Sequence, residues 1–95
     1  MAKNADNLPA TVQEAVRLLQ GLVPEDEKSR IAVMKQEDLT SLHFGLGQWI
    51  RNNLGLWLKE SALLAATGKA DADHASGVII RAFWIALRDD LPKVH

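Results

Sequence analysis

Apolar residues along this chain recur at helical spacing, and no stretch shows the strict alternation of a strand. Val12, Ala15, Val16, Leu18, Leu19, Leu22 and Val23 share one side of a wheel that advances ~100° per residue. Gln13, Glu14, Arg17 and Gln20 take the other side, which predicts an amphipathic helix over 11–22. Thr11-Val12-Gln13-Glu14 matches a capping box at its start, with Glu14 expected to reach back to the Thr11 N–H. Pro24 and the acids Glu25, Asp26 and Glu27 suit the first turn of a second helix, over about 24–34. A third helix is predicted over 37–53, ended by Gly55, and a short one over 60–66, closed by Gly68. Asp71 or Asp73 can cap a last helix over 72–90, and Pro92 marks its end. The fold class is therefore all-α, a small bundle of four to five short helices. Residues 1–8 read as a flexible lead-in and 9–92 as one helical domain.

The third helix carries the least ordinary composition, with a His, several Gly, a Trp, an Arg and an Asn pair. With His43 at the origin of a regular wheel, Leu39, Leu42, Leu46, Ile50 and Leu54 form the core stripe. His43 falls at the edge of that stripe and Asn53 within it, while Thr40, Phe44, Gln48 and Arg51 fall on a neighbouring face. A buried imidazole or amide needs a partner, or it costs ~1–3 kcal/mol. Two readings stand for His43: a structural hydrogen bond to backbone, or a base or ligand donor lining a pocket. Gly45 and Gly47 each cost about 1 kcal/mol against Ala inside a helix. Close packing of another helix, or of a ligand, would account for them. Arg51 suits either an acid on the first or last helix or a ligand anion. Trp49 and Trp57 read as core or interface anchors.

The last helix is apolar over more than half its circumference, with His74, Gly77, Arg81 and Arg88 on the remaining strip. Such a helix lies at the centre of a bundle or is shared with a partner. The second option predicts a homodimer with Ile80, Phe83, Trp84 and Leu87 at the interface. Arg81 has apolar neighbours, and either pairs with Asp38, Asp73 or Glu60 or projects into solvent.

Length and charge narrow the function. A chain of 95 residues holds one core, and its formal net charge is −1, so no global field gathers polyanions and nucleic-acid binding is disfavoured. It has no Cys, which removes disulfides, thiolate nucleophiles and the common zinc sites and fits a cytoplasmic location. No apolar run approaches the ~20 residues of a membrane span. Asp71, Asp73 and His74, even joined by His43, do not form a recognised metal motif, so neither metal nor cofactor is expected.

The run Leu42-His43-Phe44-Gly45-Leu46-Gly47-Gln48-Trp49-Ile50-Arg51-Asn52-Asn53, with Gly55-Leu56-Trp57, resembles the signature of a family of short bacterial proteins catalogued as a domain of unknown function. Pro9 to Leu19, and Asp73 to Trp84, also resemble it, so the similarity covers most of 9–88. A bulky aromatic often stands in that family at the position of Leu54. The resemblance implies a stand-alone bacterial domain and carries no activity over.

Two functions from different classes follow. One is a non-enzymatic interaction or regulatory module that dimerises or binds another protein. The other is a small-molecule or anion site formed by His43, Gly47, Arg51 and Arg81. General acid–base catalysis through His43 is a weaker third.

Overall fold

A computed structural model describes residues 8–58 and 60–90. The expected lead-in up to residue 7 and the stop at Pro92 lie outside them. Among the described residues every regular element is helical: α1 Val12–Leu22, α2 Glu25–Ala32, a 3-10 segment Gln36–Leu42, a π-turn His43–Gly47, α3 Gln48–Asn53, α4 Ala62–Thr67 and α5 Ala72–Asp89. The all-α bundle predicted from the periodicity is the observed architecture.

The caps explain where the helices begin. Thr11 Oγ1 accepts from the Glu14 N–H at 3.0 Å, as the capping box requires. Glu14, however, reaches one residue further back, accepting from the Ala10 N–H at 2.8 Å. Ser61 Oγ accepts from the Leu64 N–H at 3.0 Å and opens α4. Asp71 starts α5 by accepting the His74 N–H at 2.8 Å. That backbone bond, followed by the contact with the His74 ring, holds the Asp71 carboxyl below its ordinary pKa. Asp73 is thereby free for a different role.

α5 is the axle of the bundle, packing against every other element. Phe83 and Ile79 are fully buried at its centre, and Trp84 donates its indole N–H to the Met34 carbonyl at 2.9 Å. Arg88 lies over the Trp84 ring, 5.0 Å from its centroid. The dimer-face assignment of Ile80, Phe83, Trp84 and Leu87 is corrected by this packing. All four are at most 9% exposed within the single chain, so they are core rather than surface. Of the two explanations for the wide apolar circumference, centrality holds.

The surplus apolar surface lies elsewhere. On α1 only Ala15 and Leu19 are buried, while Leu18 and Leu22 are exposed. Trp49 and Trp57 are also exposed, so neither is a core anchor. The Trp57 indole N–H instead donates to Asn52 Oδ1 at 2.9 Å.

Gly55 and Gly68 take φ of +78° and +75°, the left-handed conformation expected just past a helix end. At Gly55 space is also short, because an added Cβ would lie 2.7 Å from Leu8 Cδ1. Gly55→Ala should therefore lower the unfolding free energy by roughly 1–3 kcal/mol. A urea titration would show it, and an unchanged midpoint would mean that this turn is not strained by a side chain.

Candidate functional site

The stretch expected as one regular helix over 37–53 is built in three registers: 3-10, then π, then α. A π-turn takes an extra residue, so everything downstream lags by about one position, ~100° of rotation. On the regular wheel Arg51 belongs to the Phe44 face and Asn53 to the core stripe. After the lag, Arg51 comes round to the line of His43 and Asn53 turns outward. Arg51 is 5% exposed, whereas Asn53 is exposed and donates its side-chain N–H to the Trp49 carbonyl at 2.9 Å. Both regular-wheel placements are corrected by the change of helical register.

Arg51 then organises its surroundings. Nη1 donates to Ser76 Oγ at 3.0 Å, and Nη2 donates to the His43 carbonyl at 3.2 Å. Nη1 also lies 3.4 Å from His43 Nδ1, and Nε lies 3.4 Å from Asp73 Oδ1. Ser76, itself fully buried, passes the chain on by donating to the Asp73 carbonyl at 2.9 Å. The guanidinium thus joins the π-turn to the first turns of α5. Of the two partners considered for it, an acid on the last helix is the one found. Among the described residues no buried side-chain nitrogen or oxygen lacks a partner.

Gly47 makes room for this arrangement. An added Cβ there would lie 3.0 Å from Arg51 Nη1 and 3.4 Å from both Ile80 Cδ1 and the Leu42 carbonyl oxygen. Gly45, two residues earlier, faces open space with nothing within 4 Å of a Cβ. One glycine of the pair is thus required by packing and the other is not.

The four residues grouped as a ligand site separate into two layers. His43 and Arg81 line an open cleft of ≈ 470 Å³, together with Leu39, Phe44, Gly77 and Ile80. Gly47 and Arg51 are buried and do not line it. Arg51 is buried, each of its three nitrogens faces a protein acceptor, and it does not touch the cleft. His43 is partly buried and is packed edge-on by Phe44, with ring centroids 4.8 Å apart at 88°. Arg81 is exposed and forms no ion pair with any described residue, so the projection into solvent is the reading observed.

Sequence reasoning set Ser76 aside as a nucleophile without giving it its structural role, and underrated Gly77. Ser76 sits in the apolar run of α5, and a small hydroxyl one turn after Asp73 was the signal available. The acid and His group near the start of α5 is a cap: His74 Nδ1 contacts Asp71 Oδ1 at 2.8 Å. No set of three or more potential metal-ligating side chains converges among the described residues. No helix among them is long and apolar enough to cross a membrane.

Helix order and buried core define a small all-α domain pinned by an internal arginine. The chain belongs to the family described as Domain of unknown function (DUF6794), whose model matches residues 8–87. That span contains Gly47, Arg51, Asp73 and Ser76, and runs from four residues before α1 to near the end of α5. No curated protein and no solved structure matches the chain.

Two glycine substitutions test the packing. Gly47→Ala should destabilise by roughly 1–2 kcal/mol, because the clash with a locked guanidinium outweighs the gain in helix propensity. Gly45→Ala should stabilise by roughly 0.5–1 kcal/mol, because only the propensity gain operates there. Thermal unfolding followed by circular dichroism distinguishes them. Stabilisation by both would mean that the space beside Arg51 is not tight.

Proposed function

We propose that the domain is a non-enzymatic protein-interaction module, and that a second copy of the chain is its partner. One observation carries this reading: an apolar ridge left uncovered beside an apolar groove. The ridge is Leu18 and Leu22, one helical turn apart on α1, at 38% and 54% exposure. A groove of ≈ 470 Å³ adjoins it, lined by Leu22 itself with Leu19, Val23, Leu46 and Trp49, and by one acid, Glu27. Gly45 also borders the groove, and its missing side chain keeps that wall low.

A ridge and a groove side by side on one face are self-complementary. A two-fold axis places the α1 ridge of each copy in the groove of the other. The net charge of −1 offers little self-repulsion against it. An exposed Trp at the edge is the residue type that anchors interfaces. The surface differs from the one the apolar pattern of the last helix suggested, because that helix is consumed by the core. A bacterial, cytoplasmic setting completes the reading, supported by the resemblance of the 42–57 run to bacterial proteins and by the absence of Cys.

Sedimentation velocity over a concentration series is the test. The wild type should reach a dimer at concentrations up to about 1 mM. Leu22→Asp should hold the chain monomeric without loss of helicity, since Leu22 is exposed. Ile85→Asp, at an exposed position outside the groove, should leave the dimer intact. A wild type that sediments as a monomer throughout would overturn the proposal.

A further inference from the structure

The cleft beside His43 shares no lining residue with the proposed dimer groove, and it has a different chemistry. We infer that it binds a small organic acid: one carboxylate on a short apolar body, of about the size of hexanoate. The inference does not depend on dimerisation.

Size and lining set the class. A volume of ≈ 470 Å³ lies within the range of small-molecule sites. Leu39, Phe44 and Ile80 offer an apolar body its contacts, and no acidic side chain lines the cleft. Arg81 stands at the edge with no ion pair to any described residue. A guanidinium with uncommitted donors matches the two oxygens of a carboxylate.

His43 supplies a second donor, and the buried layer determines which nitrogen it is. Arginine has donors only, so His43 Nδ1, 3.4 Å from Arg51 Nη1, is the acceptor of that contact. The ring proton of this tautomer sits on Nε2. With Nδ1 turned to the buried guanidinium, Nε2–H is the group left for the cleft that His43 lines. Arg51 therefore acts on the site as a positioning residue, fixing the His43 ring without touching the ligand.

Gly77 is the independent observation. It lies inside α5, where glycine costs stability against Ala. Packing does not call for it, because a Cβ there would meet nothing within 4 Å. It does, however, line the cleft. As a lining residue, Gly77 leaves its part of the cleft wall bare of side chain.

The experiment is an NMR titration of the full chain at low ionic strength. Hexanoate should give saturable amide shifts within residues 39–44 and 77–81. Acetate and inorganic phosphate, which lack the body, and hexanol, which lacks the charge, should bind at least about tenfold more weakly. Arg81→Ala should weaken hexanoate about ten- to hundredfold, and Arg81→Lys by less. Gly77→Leu should abolish binding while leaving the melting temperature unchanged or raised, which separates a blocked cleft from a damaged fold. Hexanol binding as tightly as hexanoate would overturn the inference. So would undiminished binding in Arg81→Ala or Gly77→Leu, or the absence of saturable shifts in the wild type.

Discussion

A buried guanidinium holds this domain in register. Taking a cation out of water costs several kcal/mol after relaxation, and one distant acid does not offset that. Asp73 is 3.4 Å from Nε and its side chain is 62% exposed, so its attraction is diluted by solvent. Two neutral acceptors, Ser76 Oγ and the His43 carbonyl, lie closer, at 3.0 and 3.2 Å. Hydrogen bonds to a charged donor are worth about 1.5–3 kcal/mol each. The balance therefore rests on placing two neutral oxygens accurately. Only a particular arrangement of the π-turn against α5 places them, and this is how a polar contact specifies the packing of an apolar core.

The π-turn and Arg51 depend on each other. Without the extra residue in the turn, Arg51 would face the Phe44 side and could not reach Ser76. Without a side chain bonding the His43 carbonyl, the widened turn would leave an acceptor less well satisfied. Gly47 is the third member, since the guanidinium crosses the helix where a Cβ would stand. The same contact sets the His43 ring, so the order of the buried layer extends to the lining of the cleft above it.

Much of the fold was legible in the sequence because it rests on local rules. Thr11, Asp71, Gly55 and Gly68 each mark a helix end by capping chemistry, and each does so in the structure. The core stripe of Leu39, Leu42, Ile50 and Leu54 was also legible, because apolar periodicity survives a modest phase error. Arg51 and Asn53 were misplaced for one reason: a wheel with a constant angle cannot register a change from 3-10 to π to α. The dimer face was misassigned because periodicity counts apolar positions but not the neighbours that will cover them. α5 is surrounded, and α1 has apolar residues to spare. Of the proposed site, His43 and Arg81 were placed together by pattern alone, but the depth separating them from Gly47 and Arg51 is a tertiary property.

Arg51 and Ser76 act as one unit joining the π-turn to α5. A double-mutant cycle on unfolding free energy, with Arg51→Met, Ser76→Ala and the pair, measures it most directly. Ser76→Ala alone should be costly because it leaves a buried charged donor short of an acceptor, and much less costly once Met replaces Arg51. The expected coupling energy is at least about 1 kcal/mol. Additive effects, with coupling under about 0.3 kcal/mol, would contradict it.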